Sequence, residues 1–209
     1  TKPPADFDVS ISPSGWTNQI QPIVSFETTD QTSGIDHYEL AVNSGSYTKV
    51  TSPYKLPALS DGEHHITVKA IDKAGWKTIS TTTAYIDTTP PTVPEYFKAV
   101  PGDDRVLLRW RKSVDSDVVK YKIKRIPEWP DNNIRYVSVE DTIKGEENYS
   151  YEFIDNEVEK NNDYTYFIQS VDRADNISEE SKNSAVTVGI AKEIVTPEMG
   201  GKAEFDGIE

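Results

Sequence analysis

The chain has 209 residues, a formal net charge of −13 and no cysteine. An acidic surface would not attract nucleic acid or an anionic membrane, and no apolar run approaches the length that spans a bilayer, so we expect neither nucleic-acid binding nor membrane insertion. The absence of cysteine excludes thiol catalysis, zinc–thiolate sites and a disulfide framework.

Residues 1–89 read as a first β-sandwich. Short segments of alternating polarity are separated by clusters of Gly, Pro, Asn, Asp and Ser, which is typical of sandwich strands and turns. The predicted strands are residues 7–11, 20–28, 35–42, 47–50, 64–72 and 77–86. We expect Trp16 to cap the core of this unit.

A proline-rich segment at residues 87–94 predicts a linker. Consecutive prolines favour an extended and semi-rigid chain, so the units on either side are expected to stand end to end. The second unit covers residues 90–188, with predicted strands at residues 96–100, 105–111, 119–126, 134–139, 151–155, 164–172 and 184–188. Residues 189–209 are acidic and lack a strand period, which indicates a tail or a linker to a further domain.

One pattern occurs twice, a strand that ends in Asp followed by a tight turn. The copies are residues 64–75 and 164–176, about one domain length apart, which indicates two copies of one architecture. His64 stands at the position of Tyr164 in the repeat. Trp76 stands where the second copy has Asn176.

The second unit resembles a fibronectin type III domain. The resemblance lies in the prolines of residues 91–94, in Trp110 and Tyr121, in Tyr164 at the position of a tyrosine corner, and in the turn at residues 172–178. The family usually has Gly where this chain has Asp175, a left-handed position that Asp tolerates. The first unit looks like a bacterial immunoglobulin-like domain, through residues 15–18, 29–35 and 62–75.

These patterns predict an all-β fold of two tandem antiparallel β-sandwiches, immunoglobulin-like and then fibronectin type III-like. The resemblance implies a segment of a bacterial cell-surface protein or of a secreted multidomain glycan-degrading enzyme. Extracellular sandwiches without disulfides also favour a bacterial rather than an animal source.

Little in the sequence supports catalysis. The chain has three histidines and shows no nucleophile elbow, zinc-binding helix or phosphate loop. Asp and Glu concentrate in predicted turns, where they bond the local backbone. We therefore predict that this segment is not an enzyme.

Calcium is the cofactor that the loops could hold, because it needs several oxygen ligands. The candidate ligands are Asp30, Asp36, Asp115 and Asp117. The alternative is that each carboxylate only stabilises its own turn.

Exposed aromatic side chains could instead bind a glycan. The candidates are Trp76, Trp129 in a loop, Tyr136, and Phe167 on an outer sheet face beside Lys120, Lys122 and Lys124. The alternative is that lysine stems simply cover these rings.

The sequence therefore favours a non-catalytic spacer or scaffold of a larger extracellular protein, whose partners are the neighbouring domains of the same polypeptide. A glycan or a surface protein is a further candidate partner if the segment is an adhesive or carbohydrate-binding module. A structural domain of a phage tail or a similar assembly is the second alternative.

Overall fold

The computed structural model describes residues 2–140 and 150–189, and all regular structure in these residues is β. The predicted tail at residues 189–209 lies outside this range except for Gly189. The strands build four sheets, two in each half of the chain, which confirms the all-β fold of two sandwiches.

The first sandwich consists of a three-stranded and a five-stranded sheet. The three-stranded sheet has the order β1-β3-β6, and the five-stranded sheet has the order β2-β8-β7-β4-β5. Their bounds are β1 (Val9–Ser12), β2 (Trp16–Thr17), β3 (Ile23–Phe26), β4 (Ile35–Val42), β5 (Thr48–Val50), β6 (Tyr54–Lys55), β7 (Gly62–Asp72) and β8 (Lys77–Ile86). All pairs are antiparallel except β2 with β8, which is parallel.

The second sandwich consists of a three-stranded and a four-stranded sheet. Their orders are β13-β10-β9 and β12-β11-β14-β15. The bounds are β9 (Lys98–Pro101), β10 (Val106–Trp110), β11 (Val118–Ile126), β12 (Arg135–Ser138), β13 (Tyr151–Asp155), β14 (Asp163–Asp172) and β15 (Ser184–Thr187). Since β10 and β11 belong to different sheets, the basic residues of these two strands do not form one groove.

Each sandwich has its own hydrophobic core, built by the inward residues of alternating strands. In the first, Val24, Ile66, Val68 and Ile86 are fully buried. In the second, Trp110 packs against Tyr121 and Tyr151 with ring centroids 5.4 and 5.8 Å apart, as expected for a core tryptophan.

The two copies of the repeat fold into the same turn. Asp72 Oδ1 accepts hydrogen bonds from the backbone N–H of Ala74 and of Trp76, and Asp172 Oδ1 accepts the equivalent pair from Ala174 and Asn176. The left-handed position is filled by Gly75 in one copy, and by Asp175 with a φ of 63° in the other, as predicted.

A side chain fastens the start of the long strand to the preceding loop in both copies. The Tyr164 hydroxyl accepts a hydrogen bond of 3.0 Å from the Glu159 N–H, which confirms the predicted tyrosine corner. His64 takes this role in the first sandwich, because its Nε2 lies 2.8 Å from the Ser60 carbonyl oxygen while its Nδ1 faces the Asn43 amide. This buried histidine is structural.

Candidate functional site: the junction between the sandwiches

The repeated turn of the second sandwich contacts the end of the first. The Asn176 side-chain amide donates hydrogen bonds to the backbone oxygen of Asp87 and to Asp172 Oδ2, and both distances are 2.9 Å. Asp87 is the residue after β8, and its own N–H donates to the Thr17 carbonyl of β2. One side chain thus joins the last strand of the first sandwich to the longest strand of the second.

An aromatic pair with a cation over it also lies at the junction. The Trp16 ring packs against Tyr85 with centroids 5.3 Å apart, and the Arg173 guanidinium lies 3.9 Å from the Trp16 centroid. A cation over an indole face is attracted by the ring quadrupole. The expectation that Trp16 caps the core of its own sandwich is therefore wrong: the ring is half-buried and meets the second sandwich.

Both ends of the linker are held by aspartates. Asp61 accepts hydrogen bonds from Thr88 and Thr89, and these bonds lower the pKa of its carboxyl group. Asp115 Oδ2 accepts hydrogen bonds from the hydroxyl and the N–H of Thr92, and both distances are 2.6 Å. The bond from the Thr92 hydroxyl is the main cause of the lowered pKa of the Asp115 carboxyl group. The linker is thus fixed to the first sandwich at one end and to the second at the other.

Three carboxylates meet at the junction. Oxygen atoms of Asp87, Asp117 and Asp172 all lie within 4.8 Å of one another, and Asp172 is buried. Asp117 was one of the residues predicted to bind calcium. These are hard oxygen ligands from three separate segments, and calcium binding by Asp117 stays a prediction from the sequence.

The other predicted calcium ligands bond to local turns or to the linker. Asp30 accepts hydrogen bonds from Thr32, Ser33 and Gly34 of its own loop, and the Ser33 hydroxyl is the main cause of its lowered pKa. Asp36 lies 2.6 Å from His37 Nδ1, which lowers its pKa.

Trp129 is buried, not exposed as the sequence suggested. Only 3% of its surface is accessible. The guanidinium groups of Arg125 and Arg135 lie 4.8 and 5.1 Å from its ring centroid, and the ring meets Tyr166 edge-on. Trp129, which the sequence analysis treated as a candidate glycan-binding residue, is therefore part of the core of the second sandwich.

Tyr136 and Phe167 lie on the outer face of the four-stranded sheet, which was predicted for Phe167. Tyr136 is 55% exposed, and Phe167 is half-buried. Tyr136 pairs with Lys122, and Phe167 with the next outward residue of the same strand, Lys124, whose Nζ lies 5.4 Å from the Phe167 centroid. Trp76 is 53% exposed but belongs to the first sandwich.

A shallow groove in the first sandwich contains Asp36 and His37, whose side chains contact each other. It lies between β4 and the edge strands β5 and β6, and its lining includes Asp36, His37, Lys49 and Tyr54. His37 also lies 3.6 Å from Glu39. The His37 ring therefore lies between two carboxylates, Asp36 and Glu39, at an open surface.

Comparison with known proteins identifies the fold. No protein-family model and no curated protein matches the chain. The FN1-FN3 domains of chicken CNTN1 match 89% of this chain and 68% of their own, with 15% identity and a TM-score of 0.53. The fibronectin(III)-like modules of Clostridium thermocellum CbhA match 86% of this chain and 93% of their own, with 15% identity and a TM-score of 0.52.

A segment of titin gives a similar result, covering 88% of this chain and 67% of its own at 12% identity, with a TM-score of 0.51. At these identities the likeness shows the fold alone, an array of fibronectin type III or immunoglobulin-like sandwiches. Among residues 2–140 and 150–189, no helix is long and apolar enough to cross a membrane.

Proposed function

We propose that the chain is a non-catalytic spacer segment of a larger extracellular bacterial protein, in which an immunoglobulin-like and a fibronectin type III-like sandwich position the neighbouring domains. The observation that carries this proposal is the bond from the Asn176 amide to the Asp87 carbonyl across the junction. A spacer that sets both distance and direction needs such cross-contacts, because a linker alone fixes only the distance.

The other junction contacts support the same role. Asp61 and Asp115 hold the two ends of the linker, and Arg173 lies over Trp16. A surface with an excess of acidic residues keeps an extracellular segment soluble and away from anionic polymers. The neighbouring domains of the same polypeptide are its partners in this proposal.

The distance between spin labels on the two sandwiches tests this proposal. The chain has no cysteine, so Thr48→Cys and Lys182→Cys, both at exposed positions, give one label on each sandwich. Diluting labelled with unlabelled protein removes signals between molecules. We expect a narrow distance distribution that broadens when Asn176→Ala and Arg173→Ala are introduced together.

The matched control is Asn133→Ala, in an exposed loop of the same sandwich away from the junction. It should leave the distribution unchanged. A distribution as broad in the parent chain as in the junction variant would mean a flexible linker, and the proposal of a set orientation would be wrong.

A second candidate function is glycan adhesion by the outer face of the four-stranded sheet. The observation that favours it is the exposure of Tyr136 beside Lys122, on the same outer face as Phe167. A glycan-array screen with and without calcium tests it. Binding that is lost in both Tyr136→Ala and Phe167→Ala, but kept in Trp76→Ala, would assign the function to this face.

A further inference from the structure

The repeated turn occurs at the same place in both sandwiches. The turn at residues 172–176 contacts the preceding sandwich through Asn176 and Arg173. The turn at residues 72–76 is closed by the same pair of backbone hydrogen bonds to the carboxylate of its first aspartate. The first sandwich therefore has the turn with which the second sandwich meets its neighbour.

Each turn is also bonded to the equivalent point of another loop of its sandwich. The Lys73 N–H donates a hydrogen bond of 3.1 Å to the Gly34 carbonyl, and the Arg173 N–H donates one of 3.0 Å to the Asp117 carbonyl. Lys73 thus stands where Arg173 stands, and both side chains are cations. The first sandwich has a cation at the position from which Arg173 contacts Trp16.

The first turn is exposed at the positions where the second is buried. Ala174 and Asn176 are only 3% and 8% exposed. Their counterparts Ala74 and Trp76 are both exposed, and 53% of the Trp76 surface is accessible. A small and a large apolar residue therefore lie at the surface, at the positions that the second copy buries.

The chain enters both sandwiches through the same sequence motif. Residues 1–4 read Thr-Lys-Pro-Pro, and residues 88–91 read Thr-Thr-Pro-Pro. In the second case the motif directly follows Asp87, whose carbonyl accepts the hydrogen bond from Asn176. The same motif thus leads into the sandwich that carries the exposed turn.

We propose that the turn at residues 72–76 is a docking surface for the end of a further β-sandwich that precedes the first one in the same polypeptide. Lys73 and Trp76 make the contacts, at the positions that Arg173 and Asn176 occupy in the second sandwich. This inference rests on the proposed spacer function, because it extends the junction between the two sandwiches to a second place along the array.

A preceding sandwich fits this surface better than an unrelated partner. It belongs to the same polypeptide, so a short linker holds it beside the turn at a high effective concentration. The end of the first sandwich shows what such a partner offers, since Trp16 and Tyr85 pack together there under a cation. A lysine can take the place of Arg173 over such a ring, and tryptophan is enriched in the buried centre of interfaces.

The full chain preceded by a copy of its own first sandwich tests the proposal. The copy, residues 5–87, contains the whole first core, and joining its Asp87 to Thr1 repeats the spacing of the junction within the chain. The copy carries Trp76→Phe, so that mass spectrometry identifies the peptide with the original Trp76. Hydroxyl-radical oxidation then measures the exposure of that ring.

We expect the oxidation rate of Trp76 to be lower in the fusion than in the unfused chain by about twofold or more, because docking removes the exposed ring from water. Tyr136, which is 55% exposed on the second sandwich, is the internal reference and should keep its rate.

Spin labels measure the orientation at the new junction. Thr48→Cys in both copies of the first sandwich places one label on each side of it. We expect a narrow distance distribution that broadens when Lys73→Ala and Trp76→Ala are introduced together in the original copy. The matched control is Lys55→Ala, at an exposed position of the three-stranded sheet, which should leave the distribution unchanged.

Unchanged oxidation of Trp76 in the fusion, or a distance distribution that the two alanines do not alter, would overturn the proposal. Protection of Trp76 that rises with the concentration of the unfused chain would assign the surface to a second copy and would also overturn it. The distance between labels at Thr48→Cys and Lys182→Cys reports on the other junction. A narrow distribution there with an unprotected Trp76 would reject this inference and leave the spacer function standing.

Discussion

The side-chain amide of Asn176 lies 2.9 Å from the backbone oxygen of Asp87, 89 positions earlier in the chain. The same nitrogen lies 2.9 Å from Asp172 Oδ2. Asn176 therefore satisfies a buried carboxylate of its own sandwich and the last carbonyl of the preceding one. Asn176 thus contributes both to the stability of its own sandwich and to the contact between the two.

Replacing Asn176 by Ala should destabilise the second sandwich. Asp172 keeps its bonds to the backbone but loses the donor to Oδ2, and a buried acceptor left unpaired costs about 1–3 kcal/mol. Denaturant unfolding followed by the buried tyrosines and tryptophans of this sandwich measures the loss. Asn133→Ala, which removes an exposed amide bonded to Asp131, is the control and should cost well under half as much.

The first sandwich allows the reverse substitution. Among the residues that the structure describes, the buried Asp72 Oδ2 has no hydrogen-bond partner. Trp76 stands where the second copy has Asn176, whose amide donates to Asp172 Oδ2. Trp76→Asn should supply the donor that Asn176 gives to Asp172. We expect it to be more stable than Trp76→Ala by about 1 kcal/mol, since both variants lose the ring and only one gains the hydrogen bond.

Thermal unfolding of the two variants side by side checks this prediction. Equal unfolding temperatures for Trp76→Asn and Trp76→Ala would show that the amide does not reach Asp72. The donation seen in the second sandwich would then depend on its surroundings rather than on the turn itself.

The strands with regular alternation were predictable from the sequence. The predicted strands at residues 35–42, 77–86 and 151–155 match β4, β8 and β13. The sequence analysis missed β2 and β6, because strands of two residues have no period to recognise. The burial of Trp129 could not be predicted from the sequence either, because the guanidinium groups that contact its ring come from Arg125 of β11 and Arg135 of β12.

The junction was only partly predictable. The prolines indicated a linker, but the sequence analysis did not identify Arg173, Asn176 or Asp87 as contacts between the sandwiches. The available signal was the difference between the copies of the repeat, with Trp76 in one and Asn176 in the other. That signal marks the position as unusual, but the contact across 89 positions appears only in the folded chain.

Arg125 forms a buried ion pair whose loss should be costly. Its Nη1 donates a hydrogen bond of 2.9 Å to Asp155 Oδ2, and the two side chains are 3% and 1% exposed. The Arg125 guanidinium group also donates to the backbone carbonyls of Pro127, Glu128 and Glu157. Arg125→Met leaves Asp155 charged and buried, which should cost about 3–5 kcal/mol.

Denaturant unfolding of the full chain measures this loss. The matched control is Lys124→Met, one residue earlier on the exposed face, whose pair with Glu180 is worth at most about 1 kcal/mol. The double variant Arg125→Met with Asp155→Asn should recover part of the stability, because it no longer buries an unpaired charge. A loss no larger than that of Lys124→Met would contradict the prediction.

The stability that Asp115 contributes by accepting hydrogen bonds from Thr92 of the linker should depend on pH. Its folded-state pKa lies below the ordinary value of 3.8, chiefly because the Thr92 hydroxyl bonds to the carboxylate. A depressed pKa means that this carboxylate stabilises the fold fully above about pH 4, and that the contribution disappears as pH falls through the lowered folded value. At neutral pH the chain should be more stable than Asp115→Asn, which keeps an acceptor oxygen but no charge. Below pH 4 the two unfolding temperatures should converge, and a difference that stays constant between pH 7 and pH 3 would show that the Asp115 charge does not hold Thr92.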